Sequence, residues 1–372
     1  MLRRCLFLAI LMCAAMPGAV LAQVTPAQGV VPPDDTQAIR IGAVIFADWT
    51  RTIAPTATDA AGQTYSPNAF NVSRAYINVT GNISHRVSFR ITPDITREAT
   101  PGSSLLGSLT FRIKYAYGQY SLDDWTGANW RQTWVRFGIQ QTPYIDSQES
   151  VYRYRFQGTV FVERDGGLSS ADAGVTVHTN LPNNYGDVHV GVYNGEGYSR
   201  TEANDQKAVM TRVTFRPFPA SNFTLKGLRF TGFWVNDHVM RNADRNRGVF
   251  GVMYEHKWFN AGLDYMQNSD MANPTAPTIK SGGWSVFATP FFKEKGNGPE
   301  MLLRYDSWNT DKSLDQDRQR TIVGFAYWFP HPGGASTAAV MLDYEQVNFK
   351  GFPNTAANAQ QKRLAVHGLI NF

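Results

Sequence analysis

The sequence has 372 residues, with 35 lysines and arginines against 30 aspartates and glutamates. Charged residues make up only 17% of it and aromatic residues 13%, whereas globular proteins carry about 25% charged residues. A balance this close to neutral excludes a strongly basic surface and indicates no nucleic-acid partner. With a mean hydropathy of −0.31, the many aromatic residues favour strands that have one apolar and one polar face.

The first 22 residues are predicted to be a signal peptide. Arg3 and Arg4 form its charged front, residues 5–16 its apolar stretch and residues 20–22 a small-residue cleavage site. An uncleaved anchor is the less favoured alternative, because the apolar stretch is shorter than the roughly 20 residues that a spanning helix needs. Both cysteines of the chain lie inside this segment. The exported protein is therefore expected to lack disulfides, thiolate metal sites and cysteine nucleophiles.

Residues 23–38 contain prolines and are predicted to form a short periplasmic arm. Residues 39–372 divide into segments of about ten residues in which apolar and polar side chains alternate, and such alternation indicates β-strands. Sixteen strands are predicted, at 39–50, 70–82, 86–95, 108–120, 132–141, 171–179, 186–193, 207–217, 223–236, 247–257, 259–268, 281–291, 299–308, 320–329, 337–348 and 363–372.

The alternation is clearest at residues 109–117. Leu109, Phe111, Ile113, Tyr115 and Tyr117 are predicted to face one side, and the residues between them are predicted to face the other.

The connections between these strands tend to alternate between long and short. The connection at 51–69 is long, that at 83–85 is tight, and that at 142–170 is the longest; the one at 121–131 is longer than its place in the alternation predicts. Long loops at one end and short turns at the other are typical of an outer-membrane β-barrel. A soluble β-sandwich is the alternative, but sixteen strands exceed the roughly ten that one open sheet usually holds.

The chain ends on an aromatic residue within a predicted strand. In a closed barrel the last strand must pair with the first, because hydrocarbon offers no water to an unpaired strand edge. Leu364, Val366, Gly368, Ile370 and Phe372 are then predicted to face lipid.

No residue is predicted to be catalytic, to bind a cofactor or to hold a metal. His178 and His189 are predicted to pair across a short turn near Asp187, and two imidazoles with a carboxylate could hold zinc. Residues that line a water-filled lumen are the favoured interpretation, because only loose proximity links the three.

Carboxylates on the later strands are also interpreted as lumen residues. Asp264, Asp306, Asp343 and Glu345 are predicted to form an acidic stripe that lines water, because pairing of carboxylates without burial does not shift their pKa far enough for acid or base catalysis.

If apolar positions face lipid, the polar faces of the early strands place cations in the lumen. Cations on one side and acids on the other would create a field across the pore that orders polar solutes. The predicted pore-lining residues are Arg74, Arg90, Arg112, Lys114, Arg136, Arg212 and Arg216.

Residues 143–170 are too long for a simple turn and are rich in aromatic residues. Long loops within ordered domains are usually functional, so this loop is predicted to fold into the barrel as a constriction; a surface loop over the mouth is the alternative. The predicted constriction residues are Glu149, Arg153, Arg155, Glu163 and Arg164.

At residues 134–177 the sequence resembles the bacterial phosphate-selective porin O and P family, in the stretch WVRFGIQQTPYIDSQESVYRYRFQGTVFVERDGGLSSADAGVTV. Phe161-Val162-Glu163-Arg164 is similar to the F-x-E-R element of that family, and residues 70–94 resemble its early hairpin. The resemblance implies a sixteen-stranded trimeric channel whose third long loop narrows the pore.

The sequence therefore predicts a bacterial outer-membrane porin, a passive diffusion channel for small polar or anionic solutes, with no enzyme activity. Expected partners are outer-membrane lipid and lipopolysaccharide, anions such as phosphate, and two further copies in a homotrimer. The alternatives are an outer-membrane β-barrel enzyme, a protease or lipase, and a soluble exported binding protein.

Overall fold

The structure is a computed structural model that describes residues 35–127, 129–220, 223–329 and 337–372. The predicted signal peptide and the predicted arm as far as residue 34 lie outside the described residues. The first barrel strand begins at Ala38, at the predicted end of the arm.

Sixteen long antiparallel strands form one sheet, as the sequence predicts. In chain order they are β1 (Ala38–Ala54), β2 (Asn68–Asn82), β3 (Val87–Arg97), β4 (Leu109–Ser121), β5 (Trp134–Gln141), β6 (Ala171–Asn180), β7 (Gly186–Tyr193), β8 (Ala208–Phe215), β9 (Leu228–Asn236), β10 (Ala243–Glu255), β11 (Phe259–Asp270), β12 (Ile279–Pro290), β13 (Gly298–Asn309), β14 (Asp317–Phe329), β15 (Thr337–Lys350) and β16 (Gln361–Asn371). A short strand, His238–Met240, joins β10, and Ala57–Thr58 pairs with Thr64–Tyr65 in a separate hairpin.

The helices are short and lie in the connections. They are α1 (Asp123–Thr126), α2 (Pro143–Tyr152), α3 (Phe161–Arg164) and α4 (Phe223–Lys226), with 3-10 turns at Pro182–Asn184 and Ala356–Asn358. Within the described ranges, none of the helices is long and apolar enough to cross a membrane.

The strand predicted at 223–236 begins later than expected, because residues 223–226 form α4 and pairing starts at Leu228. The backbone at Gly227 passes very close to β10: an added Cβ would lie 1.9 Å from the carbonyl oxygen of Glu255. Only glycine fits at this entry to β9.

The sheet closes because β1 pairs with β16. The register joins Val44 to Asn371 and Trp49 to Val366. At the end of the chain, the amide N of Ala43 donates to the carbonyl O of Phe372 at 3.0 Å, and the Phe372 amide donates back at 3.1 Å. The predicted closure is confirmed, and it leaves β1 and β16 without an unpaired edge in hydrocarbon.

The two faces of the barrel differ sharply in chemistry. Large apolar side chains project outward, with Phe70 exposed by 87%, Phe137 by 72% and Ile370 by 52%. Side chains at the alternate positions point inward, and many of these are charged. A closed sheet with an apolar outer surface and a polar interior is the arrangement of a β-barrel that spans a membrane.

In one strand, the alternate residues that point inward change from one set to the other partway along its length. In β4, Phe111 and Ile113 point outward as predicted, but Tyr115 and Tyr117 are buried inside the barrel. Thr92 pairs with Tyr115 and the next residue, Pro93, pairs with Ile113, so Lys114 has no partner. Proline has no N–H to give to the ladder, and an extra residue opposite it forms a β-bulge that reverses the facing of every later residue. The prediction that Tyr115 and Tyr117 face lipid is therefore wrong.

At the end of the barrel that carries the short turns, here called the turn end, a histidine connects the first described residue to the sheet by hydrogen bonds. Nδ1 of His85 lies 2.6 Å from a carboxylate oxygen of Asp35, and Nε2 lies 3.0 Å from one of Asp124 in α1. The hydrogen bonds to Asp35 and then Asp124 raise the pKa of His85. This tie is strongest when the imidazole is protonated, and it weakens as pH rises through the raised pKa.

The bulge predicts that two residues five positions apart in β4 face the same side. In a variant that lacks Cys5 and Cys13, nitroxide labels on Ile113→Cys and Gly118→Cys should both be relaxed more strongly by oxygen than by a water-soluble nickel complex. A label on Phe137→Cys, on the outer face of β5, is the control for lipid exposure. Stronger relaxation of the label at 118 by the nickel complex would contradict the bulge.

Candidate functional site

The longest loop of the barrel lies inside it. This loop, residues 142–170 between β5 and β6, is named L3; it contains α2 and α3, and α2 packs against β8, β10 and β11. Its side chains Tyr144, Ile145 and Tyr152 are almost completely buried. The predicted inward fold is confirmed, and the surface loop of the alternative interpretation is not observed.

The ends of α2 explain how L3 turns within the barrel. Pro143 occupies the first turn of the helix, where its fixed φ suits a helix and its missing N–H costs nothing. The helix ends at Tyr152, and the next residue, Arg153, has a left-handed φ of 64° and donates its N–H to the carbonyl O of Glu149 at 3.2 Å. The chain then reverses and brings the ring of Phe156 to within 6.4 Å of that of Phe46 on β1.

Strand β11 holds L3 at three levels. At the middle level, the Tyr144 hydroxyl and the Gln148 side-chain amide both donate to the carboxylate of Asp264, which is completely buried. On either side, the amide groups of Asn260 and Asn268 donate to carbonyl oxygens of L3 at 2.8 and 2.9 Å. Two donors on one buried carboxylate make Asp264 the centre of this attachment.

Strand β13 provides a second attachment through Glu300. Its carboxylate, which is also completely buried, accepts hydrogen bonds from Nη1 of Arg153 at 3.0 Å and from the Tyr154 hydroxyl at 2.9 Å. The guanidinium of Arg153 also lies over the ring of Trp328 on β14, 4.3 Å from its centroid. The end of α2 is thus fixed by an ion pair and by a cation–π contact.

Strand β15 provides a third attachment. The side-chain amide of Gln157 donates to Asp343 at 2.8 Å and to Glu345 at 3.1 Å. Nη1 of Arg164 in α3 lies 3.2 Å from the same Glu345 carboxylate. L3 is therefore attached from its first helix to its second along one side of the barrel.

These attachments change the interpretation of the acidic residues. Asp264, Asp343 and Glu345 bind L3, and Asp306 on β13 accepts two hydrogen bonds from Arg304, at 2.9 and 2.8 Å. All four carboxylates are buried, so the predicted acidic stripe lining water is wrong. L3 fills the space beside them, and a buried carboxylate must be satisfied by donors.

The inner face of β2 to β5 carries five of the predicted pore-lining residues. Two of them share one carboxylate, since Asp94 lies 2.7 Å from Nη1 of Arg74 and 3.8 Å from Nη2 of Arg112. We call this set the cationic wall, and its members are Arg74, Arg90, Arg112, Lys114 and Arg136.

The other three members of the cationic wall have only neutral hydrogen-bond partners among the described residues. Arg90 donates to a threonine hydroxyl at 2.9 Å and to an asparagine oxygen at 3.1 Å. Arg136 donates to two glutamine oxygens, at 2.8 and 3.5 Å, and Lys114 donates to a tyrosine hydroxyl at 3.2 Å. Their exposed fractions are only 0%, 1% and 3% in that order, so three buried cations lie without a carboxylate within ion-pair distance.

The remaining two predicted pore-lining residues lie on β8 or directly after it. Arg212 on β8 forms an ion pair with Asp187 on β7. Arg216 follows the end of β8, where its Nη1 donates to Asn184 Oδ1 at 2.9 Å. Arg216 therefore borders the lumen near its turn end, whereas Arg212 pairs in register with Phe233, whose ring lies 5.4 Å from that of Tyr144 in L3.

The five predicted constriction residues do not act as one group. Arg153 and Arg164 bind the wall, as described above, whereas Arg155 lies between Glu149 and Glu163, with its Nε 2.8 Å from a Glu149 oxygen. Burial raises the pKa of Glu149 although Arg155 opposes this. Burial alone would raise the pKa of Glu163 too, but Arg155, followed by Lys114 and Arg74, holds it below its usual value.

Aromatic residues that sequence reasoning did not assign to the lumen complete the cationic wall. The guanidinium of Arg90 lies 4.2 Å from the ring centroid of Tyr115, and that of Arg136 lies 4.8 Å from that of Tyr117. From the loop between β7 and β8, the Tyr198 hydroxyl accepts a hydrogen bond from Arg112 at 2.9 Å. Pro93 within a strand pattern was the available signal for the bulge that turns these β4 tyrosines inward.

The two histidines and Asp187 come together as expected. The rings of His178 and His189 lie 5.7 Å apart, and Nε2 of His178 lies 3.3 Å from Asp187. The ring of Trp134 stacks on His178, with centroids 4.9 Å apart. Over the described part of the chain, no group of three or more histidine, cysteine, aspartate or glutamate side chains is arranged to hold a metal ion.

Comparison with known proteins supports the fold. No family model and no curated protein matches the chain. Solved structures do match. An anion-selective porin from Comamonas acidovorans matches with a TM-score of 0.62 and 13% identity, over 91% of this chain and 100% of that chain. OmpF of Salmonella typhi in complex with daunomycin matches with a TM-score of 0.60 and 13% identity, over 91% of this chain and 98% of that chain. A trimer form of OmpT, an outer membrane protein of Vibrio cholerae, matches with a TM-score of 0.55, 13% identity, and 91% and 100% coverage. The chain therefore has the fold of the outer-membrane porins.

The attachment at Asp264 predicts a change in conductance when that carboxylate is removed. Asp264→Ala removes two hydrogen bonds to a charged acceptor, each contributing about 1.5–3 kcal/mol, so L3 should detach for part of the time. In a planar bilayer the variant should show a larger and noisier single-channel conductance. Asp244→Ala, which removes an exposed carboxylate beside His238, is the matched control. Identical conductances of the Asp264 variant and the unmodified protein would contradict this function of Asp264.

Proposed function

We propose that the protein is a passive diffusion channel of the outer membrane that prefers anions. The fold supports a channel, since L3 lies inside a closed barrel and is attached along β11, β13 and β15. The observation that carries the anion preference is the cationic wall, where Arg90, Lys114 and Arg136 are buried and have only neutral partners.

The physical argument depends on where charge is balanced. On the side that holds L3, arginines neutralise carboxylates, as Arg153 does with Glu300 and Arg304 with Asp306. On the cationic wall, three charges have lost most of their water and gained no ion pair. A passing anion stabilises such groups and a passing cation does not, because isolated charge is costly in a medium of low dielectric constant.

The nature of the solute and the assembly are parts of the same proposal. Small polar and anionic solutes fit an interior lined by arginine, amide and hydroxyl groups. Membership of the phosphate-selective porin O and P family, and phosphate as the solute, stay predictions from the sequence resemblance. A homotrimer in outer-membrane lipid is supported by the trimer form of OmpT, an outer membrane protein, and lipopolysaccharide as a partner stays a prediction from the sequence.

A barrel protease or lipase is the rival function. The buried carboxylates of the lumen argue against it, because Asp264, Glu300 and Glu345 are occupied by donors from L3 and are not free to activate water. Purified protein that hydrolyses peptides or phospholipids and conducts no ions in a bilayer would reverse this ranking.

The sign of the zero-current potential tests the anion preference. In a tenfold gradient of potassium chloride, the potential should have the sign set by chloride. Lys114→Gln should reduce the anion-to-cation permeability ratio by more than tenfold, because one unit charge about 8 Å from an ion contributes about 2 kcal/mol at an effective dielectric constant of 20.

Lys280→Gln, which removes an exposed lysine near the loop end of β12, is the matched control and should leave the ratio unchanged. A potential of the sign set by potassium in the unmodified protein would remove the anion preference.

A further inference from the structure

Three tyrosine rings surround the ammonium group of Lys114. Its Nζ lies 4.9 Å from the ring centroid of Tyr76 on β2, 5.4 Å from that of Tyr115 on β4 and 5.8 Å from that of Tyr198. A cation within about 6 Å of an aromatic face is stabilised by the ring quadrupole. The Tyr76 hydroxyl also accepts a hydrogen bond from Nζ at 3.2 Å. We call the three rings the aromatic cage, and Lys114 inside it is only 3% exposed.

Tyr198 differs from the other two rings of the aromatic cage, because it comes from a loop. Tyr76 and Tyr115 belong to wall strands and are each 5% exposed, whereas Tyr198 lies between β7 and β8 and is half-buried. The guanidinium of Arg112 also lies over the Tyr198 ring, 4.7 Å from its centroid, and donates to its hydroxyl at 2.9 Å. Since Tyr198 keeps the most surface in water, it forms the side of the cage that faces the lumen.

The backbone that leads to Tyr198 is fixed to two strands of the barrel. On β6, the carboxylate of Asp172 accepts a hydrogen bond from the amide N of Gly195 at 2.8 Å, and the carbonyl O of Ala171 accepts one from the amide N of Tyr198 at 3.0 Å. On β10, Nη2 of Arg245 donates to the carbonyl O of Gly195 at 2.8 Å. These contacts hold the ring over Lys114 before any solute arrives.

A cage of this kind separates two effects of a lysine on a passing anion. The unit charge acts over several ångströms, because the surroundings of a buried group screen it less than water does. A direct hydrogen bond needs the anion within about 2.8 Å of the nitrogen, and rings that cover the ammonium prevent that approach. Conduction requires a site that attracts an ion without holding it. An enclosed lysine therefore suits a channel better than an open one.

We propose that Tyr198 is a specificity-determining residue that closes the aromatic cage over Lys114, so that the ammonium attracts anions through its charge and does not bind them directly. The effect on anions rests on the proposed anion preference, whereas the protection of Lys114 rests on the contacts of the cage alone. Tyr198 thereby limits how long an anion stays beside the cationic wall.

Acetylation of Lys114 tests the protection directly. The folded protein in detergent is treated with a water-soluble N-hydroxysuccinimide ester of acetic acid, and mass spectrometry follows each lysine. In the unmodified protein, Lys114 should react at least tenfold more slowly than the exposed Lys280. In Tyr198→Ala, the acetylation rate of Lys114 should rise by tenfold or more, because the lumen side of the cage is then open.

Two further variants make this result specific. Tyr198→Phe keeps the ring and removes only the hydroxyl that Arg112 binds, so Lys114 should stay protected. Tyr65→Ala removes a tyrosine of the first long loop that is 49% exposed, and as the matched control it should also leave Lys114 protected. Heat-dependent mobility in detergent gels reports whether the barrel of each variant has formed.

Chloride conductance in a planar bilayer tests the consequence for solutes. In Tyr198→Ala, the conductance in potassium chloride should reach half-saturation at a concentration about tenfold lower than in the unmodified protein, because a charge-assisted hydrogen bond to the ammonium becomes available. In Tyr198→Ala/Lys114→Gln, half-saturation should return to the range of the unmodified protein. A change caused only by a wider lumen would be the same in both variants.

The possible outcomes separate the aromatic cage from the proposed function. Equal acetylation rates of Lys114 in the unmodified protein and in Tyr198→Ala would overturn the cage. Faster acetylation without earlier chloride saturation would overturn the effect of Tyr198 on specificity. A zero-current potential of the sign set by potassium would overturn the anion preference, and protection of Lys114 that depends on Tyr198 would still support the cage in that case.

Discussion

Burial of carboxylates on β11, β13 and β15 is the constraint on which the interior of this barrel depends. A carboxylate that leaves water needs donors close to all of its lone pairs, or burial costs several kcal/mol. The wall strands supply Arg320 and Arg363 to Glu345, but among the described residues they leave Asp264 and Glu300 without side-chain donors. L3 supplies them, and the loop and the acidic side of the wall therefore require each other. This mutual requirement holds L3 to one side and leaves the cationic wall facing it.

The second constraint acts within the backbone. Pro93 cannot take part fully in the hydrogen-bond ladder, and the bulge at Lys114 absorbs the difference between β3 and β4. Its consequence is chemical as well as geometric, because Tyr115 and Tyr117 turn from lipid to lumen. There they lie beneath Arg90 and Arg136, and Trp134 of β5 adds a second ring to Arg136 at 3.8 Å. A local feature of one strand thus helps to hold these buried cations within the wall that surrounds the lumen.

Sequence reasoning succeeded where a rule is local. Alternation with period two predicts the sixteen strands and the outward Phe111 and Ile113, and the lack of water in hydrocarbon predicts that the last strand pairs with the first, because each follows from backbone geometry in a membrane. Sequence reasoning was less successful for the attachment of L3 and for the cationic wall. The partners of Asp264 lie more than a hundred residues away in L3, and no local pattern encodes such a contact. The facing of Tyr115 was missed because a bulge breaks the period on which the prediction depends.

The most direct test of this account is whether external trypsin can cut L3 in intact cells. Arg153, Arg155 and Arg164 are cleavage sites within L3, and Arg200 is an exposed site in the loop between β7 and β8. If L3 is held inside the barrel, mass spectrometry of the digested protein should find cleavage after Arg200 and none within residues 142–170. Cleavage after Arg155 at a rate similar to that after Arg200 would contradict the account, because an attached L3 is not accessible to a protease.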